Sequence, residues 1–169
     1  MNTVKLRSRH WVGWGVLLIV LGFAYVVSAE ETPRKKEAAA SDINNVKTAV
    51  EQWIVAYNAR DLDAIAAKTH EGVTFFNTVS PFALDGKAAL RRLLQGQFMN
   101  FESVLVTPIN LQYRVMSMSG VVWGHIAIAM KPKDGPLRII FSRISWALTK
   151  EDNTWLIVSI HQSLLPSGN

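Results

Sequence analysis

Three side chains that carry or can take charge near neutral pH, His125, Arg143 and His161, fall in the apolar second half of this 169-residue chain. Each lies in a run of β-branched and aromatic residues that reads as a strand. Their relative register follows from the loops between those runs. With Lys131–Pro136 (KPKDGP) as a loop, Met130 lies near Arg138 and His125 faces Arg143. With Lys150–Thr154 (KEDNT) as the next loop, Thr149 faces Trp155 and Arg143 faces His161. Facing residues share a side of a sheet, so His125, Arg143 and His161 would form one row. A one-residue slip in either hairpin would break it. A guanidinium flanked by imidazole N–H groups suits a carboxylate, phosphate or sulfate. His161 beside the hydroxyl of Tyr57 or Tyr113 would instead supply a base and a polarising donor for an isomerisation, dehydration or cyclisation. The competing reading makes Arg143 a donor to backbone carbonyls and the histidines neutral, hydrogen-bonded core members.

Other constellations are missing. There is no cysteine, hence no disulfide, thiolate metal site or thiol nucleophile. His70-Glu71 lacks a second histidine at ligand spacing, and the four histidines make no zinc pattern. Neither a G-x-S-x-G elbow nor a phosphate-cradling glycine loop occurs, so no metal and no cofactor is expected. Asp61 and Asp63 look like an acid pair, but a helix cap and a first-turn acid explain them more simply.

The elements that must position these residues divide into helices followed by strands. After Ser41-Asp42, Ile43, Val46, Val50, Trp53, Ile54 and Tyr57 recur at helical spacing, which predicts a long amphipathic helix ending near Asn58-Ala59. Asp61 caps a short helix over 62–68, Val73–Thr78 reads as a strand, and Asp85-Gly86 precedes a helix from Lys87 to about Phe98. Strands follow over 104–106 with 110–117, then 121–130, 137–149 and 155–163, joined by short turn-like segments. Helices first and an antiparallel meander afterwards predict an α+β fold, three N-terminal helices packed on one face of a curved sheet.

The N-terminus belongs to a different class. Lys5, Arg7 and Arg9 precede an uncharged run from Trp11 to Ala29, which ends in Val27-Ser28-Ala29, small residues suited to signal-peptidase cleavage. The run is also close to the ~20 residues that span a bilayer. Residues 1–29 are therefore read as a signal peptide or an N-terminal membrane anchor, with the remainder exported across the cytoplasmic membrane in either case. Residues 30–41, charged and without apolar period, read as a flexible linker. The formal charge of +5 is misleading, because three of the 18 Lys and Arg precede the apolar run and the other 15 stand against 13 Asp and Glu. So nearly neutral a domain lacks the basic face that nucleic acid requires.

The domain resembles the SnoaL-like branch of the nuclear-transport-factor-2-like superfamily. The resemblance rests on Trp53 and Tyr57 leading into Asn58-Ala59-Arg60-Asp61-Leu62-Asp63-Ala64-Ile65. It rests also on Asp85-Gly86-Lys87 with Leu90, on Arg143, and on Trp155-Leu156-Ile157-Val158 followed by His161, Ser163 and Pro166. It spans residues 42–166 and implies a cone with a pocket between sheet and helices, often a homodimer, with Arg143 and His161 lining the pocket. It implies no single activity, since the fold hosts isomerases, dehydratases, cyclases and binding domains. Ketosteroid-isomerase-like and epoxide-hydrolase-like members carry acid/base carboxylates inside the cone. Here no Asp or Glu falls in a predicted strand, and Asn77 and Ser80 stand where an acid would be wanted. The readings that follow are a small-molecule binder using Arg143 and His161 with His125, Tyr57 and Tyr113, a small enzyme using His161, or a tethered interaction domain with a filled pocket.

Overall fold

A computed structural model describes residues 33–78, 80 and 82–165. The expected export segment, residues 1–29, and Pro166 lie outside the described residues. Among the described residues, no helix is long and apolar enough to cross a membrane.

The first helix, α1, runs Pro33–Asn58. Its inner side carries Val46, Ala49, Val50, Trp53, Ile54, Ala56 and Tyr57, all buried, at the three- and four-residue spacing that lines one face of a helix. It begins well before Ser41, so most of the segment read as a flexible linker is helical. Lys35, Lys36, Glu37 and Ala38–Ala40 are strong helix formers, and Pro33 fits a first turn, where no backbone donor is needed. Their charge and lack of apolar period suggested a tether, but both are equally compatible with a helix.

Asn58 and Arg60 fix how α1 ends. The Asn58 amide donates to Val106 O at 2.9 Å and its Oδ1 accepts from Val106 N at 2.8 Å. Arg60, at φ 59°, donates to the carbonyls of Phe98, Phe101 and Glu102. Phe98 lies in the last turn of a helix, where carbonyls lack intrahelical partners. Asp61 Oδ1 then accepts from Asp63 N and Ala64 N, capping α2 (Leu62–Ala67) as expected.

The remaining elements are β1 (Thr69–Phe76), β2 (Leu84–Asp85), α3 (Lys87–Asn100), β3 (Phe101–Pro108), β4 (Gln112–Met116), β5 (Ser119–Pro132), β6 (Arg138–Glu151) and β7 (Thr154–Leu164). The sheet order is β2-β1-β7-β6-β5-β3, with β4 beside the other half of β5. Every pairing is antiparallel except β1 with β7. Gly86, at φ 85°, turns the chain into α3. The curved sheet wraps α1 and α3, and the core comes from residues between Val46 and Ile160. The domain thus carries a core of its own. Side chains alternate across β6: Ser142, Ile144, Trp146 and Leu148 are buried, while Arg143 is exposed.

Register confirms one hairpin and corrects the other. His125 faces Arg143, and Met130 faces Arg138. Between β6 and β7, however, Asp152-Asn153 alone form the turn, both at positive φ (45° and 63°), and Glu151 pairs with Thr154. Positive φ at both central residues is the two-residue hairpin geometry that matches strand twist. The register shifts once more between Ala147 and Leu148, so His161 faces Ser145 and Arg143 faces Ser163. A shorter turn and one bulge displace the expected His161–Arg143 pair by two residues.

Candidate functional site

A cavity of about 470 Å³ opens between the sheet, α1 and α3. Trp53 and Tyr57 of α1 form one wall, with Leu93, Leu94 and Gly96 of α3 beside them. The sheet supplies Phe75, Val106, Ile126, Ile128, Ile144, Trp146 and Ile160. Polar groups are few: Asn77 and Thr78 after β1, Gln162 on β7, and Arg92, Gln97 and Asn100 on α3. Both the size and the apolar lining match small-molecule pockets, which span ~300–1,000 Å³.

Tyr57 holds the centre of the polar geometry. Its ring stacks on Trp53, with centroids 5.5 Å apart, and its hydroxyl donates to Gln97 Oε1 at 2.9 Å. Burial pushes its pKa up to about 12, against smaller lowering effects from the Gln97 bond and the Arg60 charge. Tyr57 is therefore a neutral hydroxyl at physiological pH. Because Gln97 accepts through oxygen, its amide nitrogen remains a donor. No described lining residue is Asp, Glu, His or Lys. Among the described residues, no cluster of three or more metal-ligating side chains occurs.

Of the five expected ligand-binding residues, only Tyr57 lines this cavity. Arg143 and His161 are exposed on the outer face of the sheet, and His125 shares that face through its pairing with Arg143. The row exists in part, on the wrong side. Arg143 alternates with Ile144 and Trp146, which take the inner positions, so its own side chain must point outward. Its contact with Leu164 O is long, at 3.5 Å. His161 meets Phe76 edge-on at 5.9 Å. His125 Nδ1 lies 2.9 Å from Asn110 Oδ1, which also accepts from His125 N. Tyr113 pairs with buried Val122 yet lies outside the cavity lining. Its pKa is raised by burial and then by the Glu51 charge.

Neither Glu71 nor Glu102 is among the lining residues. Glu71 pairs with Lys87 at 2.7 Å and Glu102 with Lys131 at 2.6 Å, and both side chains are largely exposed. Asp61 and Asp63 serve as a helix cap and as a partner for Arg91 at 2.7 Å. The α3 residues Arg92, Gln97 and Asn100 went unnoticed in the sequence. Their signal was helical spacing with Leu93 and Gly96, which places all five on one side of the helix.

The sequence matches the model of the SnoaL-like domain over residues 46–167. The chain belongs to the SnoaL-like family. Solved structures agree on the fold. A nuclear-transport-factor-2-like family protein from Streptomyces avermitilis, which bears a provisional dehydratase name, superposes with a TM-score of 0.70 at 16% identity, over 76% of this chain and 99% of its own. A ketosteroid isomerase-like protein from Erwinia carotovora atroseptica gives 0.65 at 15% identity, over 75% and 98%. A nuclear transport factor 2-like superfamily protein from Salmonella enterica gives 0.68 at 14% identity, over 78% and 96%. No curated protein matches at the same stringency. At such identities the SnoaL-like cone is shared and the chemistry is not transferable.

Proposed function

We propose that this SnoaL-like domain binds a small, mostly apolar molecule inside its cone. The observation that carries this reading is the open cavity of about 470 Å³ with an apolar wall and no Asp, Glu, His or Lys among its described lining residues. A vestigial pocket would be filled by aromatic side chains, whereas here Trp53, Phe75 and Trp146 border open space. The isomerase or dehydratase reading loses its base, because His161 lies on the outer face and Tyr57 is held neutral. Binding through Arg143 is not supported either. A thermal-shift screen of hydrophobic small molecules on residues 30–169 tests the proposal. Binders should raise the melting temperature equally in wild type and Arg143→Ala, and the rise should vanish when Leu93→Trp narrows the cavity. A screen without hits, or one indifferent to Leu93→Trp, refutes it.

Two further parts of the proposal concern where and with what the domain works. The basic, apolar and small-residue order of residues 1–29 supports delivery beyond the cytoplasmic membrane, with or without cleavage. The outer sheet face supports pairing with a second copy: Leu105, Ile139 and Phe141 are each more than half exposed there, beside Trp123 and Phe76. Exposed apolar patches mark interaction surfaces, and a two-fold dimer would use the same patch on both copies. Sedimentation should find a dimer that Phe141→Asp dissociates; a monomeric wild type overturns that part.

A further inference from the structure

We infer that the cavity takes an amphipathic monoanion, its apolar body inside and its acidic head on Arg92 at the mouth, lying across Gly96. This rests on the binding reading above and specifies the ligand class. Arg92 is the one charged side chain in the described lining, and it is exposed. It has no hydrogen-bond or ion-pair partner among the described residues. Its neighbour Arg91, by contrast, pairs with Asp63. Gln97 and Asn100 follow on the same side of α3, offering amide donors one and two turns beyond Arg92. A guanidinium followed by neutral donors, with no acid among the described lining residues, suits carboxylate, sulfonate or phosphate oxygens alike.

Gly96 is the second and independent observation. It sits inside α3 and lines the cavity. Glycine is unfavourable in a helix interior and is normally explained by something packed against it. A Cβ built at Gly96 would meet nothing within 4 Å apart from its chain neighbours and the backbone of its own helix. The protein itself therefore has no use for the missing side chain, whereas a ligand passing from the apolar wall to Arg92 would occupy that space.

Two fluorescent probes with the same ring system separate head from body: 1-anilinonaphthalene-8-sulfonate and its uncharged parent, N-phenyl-1-naphthylamine. Both are titrated into residues 30–169 and into Arg92→Gln, Gly96→Ala, Leu93→Trp and Arg91→Gln, with melting temperatures recorded for each. Arg92→Gln should weaken the sulfonate about 10-fold, the loss of one charge-assisted contact, and leave the neutral probe unchanged. Arg91→Gln should change neither. Gly96→Ala should raise the melting temperature by about 2–4 °C, as helix propensity requires, while weakening both probes. Equal loss of both probes in Arg92→Gln, or tighter binding in Gly96→Ala, overturns the inference and leaves the cavity reading intact. If neither probe responds to Leu93→Trp, the cavity reading falls with it.

Discussion

Replacing Asn58 by alanine tests the join between the helical layer and the sheet. The Asn58 amide meets both backbone groups of Val106, donating at 2.9 Å and accepting at 2.8 Å. It acts as a one-residue strand laid against β3, which ends the main path of the sheet. Val106 is itself buried, with 6% of its surface exposed. Truncation therefore removes two bonds and strands a partly buried donor and acceptor. Each net bond is worth ~1 kcal/mol, and an unsatisfied group costs a further ~1–3 kcal/mol where water cannot reach it. We expect a total of about 3 kcal/mol, which lowers the melting temperature of a domain this size by roughly 10 °C. Asn58→Asp keeps the acceptor for Val106 N–H and loses the donor, so it should recover about half of the loss. Urea melts at constant slope measure both variants. A drop below about 0.5 kcal/mol in Asn58→Ala, or equal stability of the Ala and Asp variants, would refute the strand-mimic account.

Tyr57 predicts a pH effect. Its folded pKa is raised from 10.0 to about 12, so its contribution is fully present below pH 10 and is lost as pH rises towards 12. The expected loss is up to ~3 kcal/mol, and urea midpoints of Tyr57→Phe should fall less steeply across that window; parallel curves would contradict it. Gly124→Ala should do the reverse of Gly96→Ala. At φ 156°, a Cβ on Gly124 would sit 2.2 Å from Asn110 O, so the link from β3 to β4 must shift, at a cost of ~2–3 kcal/mol. An unchanged melting temperature would show that this crossing is not tight.

The order of elements and the fold class were legible because apolar spacing changes from the helical to the strand period near residue 100. The register of β5 with β6 was legible too, since its loop carries Pro and Gly. The β6–β7 turn was not. Asp152-Asn153 gives a weaker turn signal than Asn-Gly, and no pattern marks the bulge between Ala147 and Leu148. The misplacement of Arg143 has another cause. Ser142, Ile144, Trp146 and Leu148 alternate with Arg143, Ser145 and Ala147, and that alternation already assigned Arg143 outward. The charge of Arg143 and the family resemblance pointed the other way. The α3 contribution to the cavity was hidden because Arg92, Gln97 and Asn100 look like an ordinary solvated helix side.

β7 lies inside the sheet between β1 and β6, pairing parallel with one and antiparallel with the other. That placement sets the order of events during synthesis. Until Thr154–Leu164 has emerged, β1 and β2 have no sheet to join, and the wall carrying Ile160 and Gln162 does not exist. Contacts this distant in sequence form slowly. The cavity wall is thus completed only when the last strand of the chain is in place.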